Sequence, residues 1–162
     1  MPLSERLRSL LDSHHAEYTV TLHPLAYTAR EVATAEHLPA AEVAKTVVIF
    51  GDGEYHLLVV PANKVVDFTE LRSVLGLSQA RLATETELAR LFPDSELGAM
   101  PPIGPLYGLP VYLDSTVAAI PTLAFNAGTH REVIHMKTAD FREIVQPMVV
   151  SLVREPAMRH GW

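Results

Sequence analysis

The sequence predicts a single domain of the α+β class with a mixed, mostly antiparallel sheet. Short β-branched runs joined by tight turns alternate with helical segments that open on capping residues, an arrangement typical of this class. The chain has 162 residues, of which 48% are hydrophobic, so it can bury one core of ordinary size. We expect one domain over residues 1–162, with its core at about 5–153 and a short tail at 154–162.

The first half of the chain predicts two helices, a strand and a hairpin. A helix is expected at residues 4–15, where leucines recur at helical spacing after Ser4, a plausible N-cap. Residues 18–22 read as a strand, and a capping box at residues 28–31 opens the second helix. The clearest hairpin joins residues 45–50 to residues 54–60 across a Gly-Asp-Gly turn.

The second half predicts three further helices and four strands around a long loop. Helices are expected at about 67–75, 84–92 and 138–145, because Asp67, Thr84 and Thr138 are typical of helix starts. Proline and glycine are concentrated between residues 93 and 110, which indicates a stiff loop. The remaining strands are expected at 111–113, 122–126, 131–137 and 148–153, the second and third pairing across residues 127–130.

Composition limits the function classes. The chain has no cysteine, which excludes thiol nucleophiles, disulfides and thiolate metal sites. Its net charge is −6, which argues against broad binding of DNA or of any nucleic acid backbone but permits a grip on one RNA end. No signal peptide and no apolar run of membrane-spanning length are found, so we expect a cytoplasmic protein without a membrane partner.

The common catalytic and phosphate-binding motifs are missing. The chain contains no G-x-S-x-G, P-loop, G-x-G-x-x-G or H-E-x-x-H sequence. His130 and His135 are the most tempting metal pair, but five residues apart on one strand they should point to opposite faces. We therefore expect no metal.

Three segments could carry chemistry, and each has a purely structural alternative. Lys45 precedes a buried-looking strand, where it could cap a helix and reach water or could hold a phosphate or polarise a carbonyl. The loop at residues 98–104 is either a stiff surface turn or a wall that presents N–H groups to a ligand. His130, at a predicted hairpin tip, is either an exposed loop residue or a group that orients water or substrate.

These segments resemble the YbaK/ProX family of aminoacyl-tRNA deacylases, which includes the editing domain inserted in bacterial prolyl-tRNA synthetases. Ala44-Lys45-Thr46-Val47-Val48 resembles the family's lysine at the start of a core strand, and residues 98–102 resemble its glycine–proline loop. Residues 124–130, running into residues 133–141, resemble its closing hairpin and helix start. The three blocks occur in the family's order, and the similarity covers roughly residues 5–153.

The resemblance implies a partly curled central sheet flanked by helices and hydrolysis of the ester at the 3′ end of a mischarged tRNA. It implies Lys45, Gly98 and His130 as catalytic residues and requires no cofactor. A local basic rim that includes Arg30 would complete the substrate-binding set, which we expect to comprise Arg30, Thr46, Met100, Pro101, Pro102, Asn126, Gly128 and Thr129. The partners implied are the acceptor end of a mischarged tRNA and, in addition, an aminoacyl-tRNA synthetase.

Three functions remain open at this point. The first is an editing hydrolase acting in trans, and the second is a non-catalytic module of the same fold that binds tRNA or a synthetase. The third is a hydrolase or binder for another small amino-acid derivative, which the acidic net charge keeps open. The alanine-clearing branch of the family usually has asparagine after the lysine, whereas this chain has Thr46, so the amino acid that is removed stays undetermined.

Overall fold

The structure, a computed structural model, describes residues 5–157 as helices and short strands in the order that the α+β prediction requires. Two short 3₁₀ turns, Ala40–Glu42 and Gly104–Leu106, interrupt the connecting segments. The α-helices are α1 (Glu5–Ser13), α2 (Ala29–Ala35), α3 (Phe68–Leu75), α4 (Glu85–Leu91), α5 (Ser115–Ala118) and α6 (Thr138–Val145). The strands are β1 (Tyr18–Leu22), β2 (Ala44–Gly51), β3 (Glu54–Pro61), β4 (Val65–Val66), β5 (Arg81–Leu82), β6 (Val111–Asp114), β7 (Thr122–Asn126), β8 (Glu132–Lys137), β9 (Met148–Val150) and β10 (Val153–Arg154).

The strands are distributed over three sheets. A five-stranded sheet has the order β5-β2-β3-β6-β9, a three-stranded sheet the order β1-β8-β7, and β10 pairs with β4. The β2–β3 hairpin is antiparallel, whereas β6 runs parallel to both β3 and β9. The three-stranded sheet and the β10–β4 pair are antiparallel throughout. The predicted mixed and mostly antiparallel character is thus confirmed.

One parallel bridge links the two larger sheets. It joins Val43, just before β2, to Ala124 in β7, and it is not continued into a ladder. Past the bridge the two strands run in the same direction, but β2 pairs with β3 and β7 with β8 rather than with each other. The side chains that follow the bridge on β2 and β7 line a cleft between the two strands. The candidate site lies in this cleft.

The core is built from apolar faces that the sequence pattern identifies. Leu7 and Leu11 of α1 are fully buried together with Phe125 of β7 and Phe141 of α6, and burial of each such side chain contributes about 1.5–3 kcal/mol. A smaller cluster under α2 contains Val32 and packs against the bridge between the sheets. The position of α2 is therefore coupled to that bridge.

Most predicted elements are present, and the differences have local causes. The first helix ends at Ser13 rather than residue 15, because His15 adopts a left-handed φ of 54° and its N–H turns back to the Asp12 carbonyl. The predicted cap Ser4 lies outside the described residues. The predicted strand at 148–153 is divided, since the Leu152 N–H leaves the ladder and donates to the buried Asp114 carboxylate over 2.8 Å. No helix in the described part of the chain is long and apolar enough to span a membrane.

Candidate active site

A cleft of about 530 Å³ opens where β2 and β7 diverge. Lys45 on β2 and Asn126 on β7 each lie two residues beyond the Val43–Ala124 bridge, and both line the cleft. Among residues 5–157 its lining consists of Thr28, Ala29, Arg30, Ala44, Lys45, Thr46, Ala62, Lys64, Val65, Gly98, Met100, Asn126 and Pro156.

Lys45 is the half-buried cation of this cleft. Its ammonium donates a hydrogen bond to the Lys64 carbonyl over 3.0 Å. Burial lowers the pKa of Lys45 below its ordinary value, and the positive charge of Arg30 lowers it further. An ammonium has three N–H donors, of which the Lys64 carbonyl takes one among residues 5–157. The predicted alternative of a helix-capping lysine is not what the structure shows, because the carbonyl acceptor belongs to the β3–β4 connection.

The glycine–proline loop at residues 98–102 forms another wall of the cleft, which it lines with Gly98 and Met100. The Thr46 hydroxyl donates to the Met100 carbonyl over 2.8 Å and so ties β2 to this loop. Gly98 adopts a φ of +83°, which favours glycine. Its N–H donates to the Met100 thioether over 3.2 Å. Because a thioether is a weak acceptor, a substrate oxygen could take over this donor at little cost.

The hairpin tip between β7 and β8, at residues 127–131, is hydrogen-bonded to the glycine–proline loop and to the residues just before it. The Gly128 N–H donates to the Ala99 carbonyl over 2.9 Å, and the Glu96 N–H donates to the Gly128 carbonyl over 2.8 Å. These two bonds hold the loop in register with the tip. Gly128 has a φ of +97°, so a side chain there would strain the tip rather than alter the lining of the cleft.

His130 lies behind Gly98 and does not line the cleft. It is only 7% exposed, and its Nε2 donates to the Leu97 carbonyl over 2.6 Å. A Cβ placed on Gly98 would lie 3.3 Å from the His130 ring. The alternative of an exposed hairpin-tip histidine is therefore wrong, because Leu97 and Tyr27, whose ring centroid lies 5.0 Å away, cover the imidazole.

Helix α2 places Arg30 on the third side of the cleft. The Thr28 hydroxyl accepts the Glu31 N–H over 3.1 Å, and the Glu31 carboxylate accepts the Thr28 N–H over 3.1 Å. This is the predicted capping box, and it fixes the first turn that carries Arg30. Glu36, which follows α2, accepts a hydrogen bond from His135 Nε2 over 2.7 Å and anchors the helix to β8.

The segment after β9 completes the cleft. Strand β10 pairs with β4, the Lys64 ammonium forms an ion pair with Glu155, and Pro156 lines the cleft. The predicted tail at 154–162 therefore contributes a wall where it is described.

The structure brings part of the predicted set together. The predicted residues that line the cleft are Arg30, Lys45, Thr46, Gly98, Met100 and Asn126. Five others do not line it and lie in the segments that support it, namely Pro101, Pro102, Gly128, Thr129 and His130. Sequence reasoning missed the small residue Ala62 and the Lys64 carbonyl, neither of which has a side-chain signal. Within residues 5–157, no three histidine or carboxylate side chains are grouped to hold a metal ion.

Comparison with known proteins identifies the family. Residues 23–144 match the model of the aminoacyl-tRNA editing domain. The chain is 28% identical to the multifunctional Ser/Thr-tRNA deacylase ProXp-y of Escherichia coli (strain K12), over 93% of this chain and 92% of that protein. It is 27% identical to the proline–tRNA ligase of Xanthomonas campestris pv. campestris (strain 8004), over 81% of this chain but only 23% of the ligase.

The fold agrees with this assignment. A crystal structure described as that of a candidate trans-editing enzyme for prolyl tRNA synthetase superposes with a TM-score of 0.81 at 24% identity, covering 94% of this chain and 99% of that one. The matched region contains Lys45, Gly98 and Asn126. Since the family model spans most of the chain, the protein belongs to the aminoacyl-tRNA editing domain family.

Proposed function

We propose that the protein is a trans-editing hydrolase that cleaves the ester of a mischarged aminoacyl-tRNA at the acceptor end, without a metal. The observation that carries this proposal is the half-buried Lys45 ammonium, which lines the cleft and uses one of its three donors on a carbonyl within residues 5–157. Family membership supports the reaction class. Alignment over 92% of a deacylase, against 23% of a ligase, supports action in trans.

The reaction needs little from the protein because an aminoacyl ester is already activated. Water adds to the carbonyl carbon, the bond from that carbon to the ribose oxygen breaks, and the ribose oxygen takes up a proton. The products are the free amino acid and the tRNA with its terminal diol. Positioning the ester and stabilising the oxyanion can supply the rate, and the neighbouring ribose hydroxyl can relay the proton.

We assign the oxyanion donors to Lys45 and Gly98. The Lys45 ammonium offers charge and two N–H groups, and the Gly98 N–H becomes available when a substrate oxygen displaces the Met100 thioether. A charged donor and a main-chain donor that line one cleft suit an oxygen that gains negative charge there. We assign His130 a positioning role, since its Leu97 contact and its packing on Gly98 hold the loop.

The cations at the cleft support a phosphate-bearing substrate. Arg30 and Lys64 line the cleft beside Lys45, so the local charge is positive although the chain is acidic overall. Another cation, Arg72, lines a separate cleft beside Asp52. Recognition is therefore expected to be confined to the terminal nucleotides, as the acidic net charge requires.

A deacylation screen tests the proposal. Purified protein is mixed with Ser-, Thr-, Ala- and Cys-tRNA, and ester loss above the uncatalysed rate is followed. We expect turnover with at least one ester and its loss in Lys45→Met. Lys137→Met is the matched control, because Lys137 is exposed and does not line the cleft. Binding of mischarged tRNA without any ester loss would instead establish the binding-module alternative.

A further inference from the structure

We propose that Glu155 competes with a phosphate of the tRNA end for Lys64: its carboxylate pairs with this lysine in the free protein and gives it up when the RNA binds. The inference rests on the proposed function and names the cation that receives the phosphate and the group that holds it beforehand. Lys64 lines the cleft together with Lys45 and Arg30. Glu155 does not line it, so the carboxylate acts on the cleft through Lys64.

The register of a short ladder places Lys64 and Glu155 side by side. Strands β4 and β10 pair antiparallel, and their last pair joins Val65 to Arg154. The next position in this register sets Lys64 opposite Glu155, where the Lys64 ammonium forms an ion pair with the carboxylate. Opposite charges that face each other across antiparallel strands attract. Because neither residue belongs to the ladder, the carboxylate can leave without breaking a strand hydrogen bond.

The ion pair is suited to exchange because its acidic partner is exposed. The Glu155 side chain is 75% exposed, whereas that of Lys64 is 23% exposed. Ion pairs near the surface contribute little to stability, since water solvates the carboxylate nearly as well. Within residues 5–157 the carboxylate has no second hydrogen-bond partner. It can therefore turn to solvent at low cost and leave the more buried ammonium to a ligand.

RNA that enters the cleft meets more cations than the carboxylate does. The Arg30 guanidinium also lines the cleft and has no hydrogen-bond or ion-pair partner within residues 5–157. Arginine and lysine side chains both bind phosphate oxygens, so the RNA can use Arg30 and Lys64, whereas Glu155 pairs with Lys64 alone. The Lys64 carbonyl also accepts a hydrogen bond from the Lys45 ammonium over 3.0 Å. The phosphate contact is therefore one residue away from the proposed ester site.

The exchange has a consequence for affinity. Every RNA end that binds must displace the carboxylate, which weakens the binding of charged and uncharged tRNA alike. Weaker binding of the uncharged end favours release of the product after the ester is cleaved. Removal of the carboxylate should therefore tighten the binding of RNA, and it should do so only while Lys64 is present.

Binding of an uncharged hairpin RNA that ends in CCA tests the exchange without any ester cleavage. Its Kd is measured by fluorescence anisotropy at several salt concentrations. Glu155→Gln, which removes the charge but keeps the size, should lower Kd by about two- to fivefold, the range expected for an exposed ion pair. Lys64→Met should raise Kd and reduce the slope of log K against log salt by about 0.7, as expected for one lost phosphate contact. In the Lys64→Met background, Glu155→Gln should change Kd by less than about 1.5-fold, because the two effects are coupled.

Glu17→Gln is the matched control. Glu17 forms an exposed pair with Lys137 over 3.9 Å, and neither residue lines the cleft, so this variant removes the same charge elsewhere and should leave Kd unchanged. Lys64→Gln should behave like Lys64→Met, and melting curves of both variants show whether the fold is intact.

Three results would overturn the proposal while leaving the deacylase function intact. They are an unchanged Kd in Glu155→Gln, equal tightening by Glu17→Gln, and the same tightening by Glu155→Gln in the Lys64→Met background. The first would mean that the carboxylate does not compete, and the other two that it acts through net charge rather than through Lys64. The expected changes in Kd without loss of any ester would overturn the deacylase function alone, whereas a wild type that binds no RNA would overturn both.

Discussion

Replacing Lys45 by methionine removes one positive charge from the cleft, which Arg30 and Lys64 also line, while keeping most of the aliphatic side chain. The substituted side chain still fills the half-buried space between β2 and the β3–β4 connection. What disappears is one hydrogen bond to the Lys64 carbonyl and two donors that face the cleft. Activity and stability are thus expected to respond very differently.

The magnitude of each response follows from these contacts. Loss of a preorganised oxyanion donor costs about 3–4 kcal/mol, or roughly a hundred- to a thousandfold in kcat. Loss of the bond to the Lys64 carbonyl costs about 0.5–1.5 kcal/mol of stability. Part of that cost is offset, because the lowered pKa of Lys45 shows that burial disfavours the charged form. The melting temperature should therefore stay within about 4 °C of the wild type.

The pH dependence offers a second readout. Because the pKa of Lys45 is lowered, kcat should fall as the pH rises through a value below 10.5, and this fall should be absent in Lys45→Met. Stability should move oppositely. Between the lowered folded pKa and the ordinary value the unfolded chain binds the proton more tightly, so the free energy of unfolding rises with pH in that window.

The assay is single-turnover deacylation at saturating protein, corrected at each pH for uncatalysed ester hydrolysis, with thermal melts in parallel. Lys45→Arg should have a rate between those of Lys45→Met and the wild type, because the planar, delocalised guanidinium cannot replace the compact charge of an ammonium. Wild-type kcat in Lys45→Met would refute the assignment of Lys45 to the reaction. If Lys45→Met had a much lower melting temperature but full activity per folded molecule, Lys45 would be a structural residue.

Three further predictions concern the loop, α2 and metals. Gly98→Ala places a side chain at a left-handed φ against His130. It should lower the melting temperature by about 2–8 °C and turnover by about a hundredfold; unchanged turnover per folded molecule would remove the loop from the site. Thr28→Ala breaks the capping box of α2 and should lower the free energy of unfolding by about 1 kcal/mol. Because Arg30 is then held less firmly, KM should rise while kcat stays unchanged. A fall in kcat in steady-state kinetics would contradict this prediction. Incubation with EDTA or phenanthroline should leave deacylation unchanged, and zinc-dependent recovery of a lost activity would contradict metal independence.

The sequence predicts the elements that carry strong local signals. The hairpin of β2 and β3, the capped starts of α2, α3 and α4, and the length of α6 follow from β-branched runs and capping residues, which act within a few positions. Strands of two residues, such as β4 and β5, have no periodicity to detect. Strand β10 is similarly short, and its pairing with β4 depends on chain folding rather than on its own residues.

The sequence predicts side chains that line the site, but it does not predict the main-chain and long-range contacts that hold them in place. Lys45, Gly98 and Asn126 were identified from sequence and line one cleft. The carbonyl that holds Lys45 belongs to Lys64, and main-chain groups carry no sequence signature. The burial of His130 depends on Leu97, some thirty positions away, and a hairpin tip by itself predicts exposure. Long-range contacts of this kind are fixed by packing and not by any local pattern.

The strand β10 and the residues that follow it have a practical consequence for work with this protein. Glu155 neutralises Lys64 at the mouth of the cleft, and Pro156 forms part of its wall. An affinity tag or fusion partner attached directly behind this segment would follow within a few residues of a wall of the cleft in which we propose that the tRNA end binds. Kinetic constants measured on such a preparation would reflect the attachment as well as the enzyme, so a tag at the other terminus, or its proteolytic removal, is the sounder basis for comparing substrates.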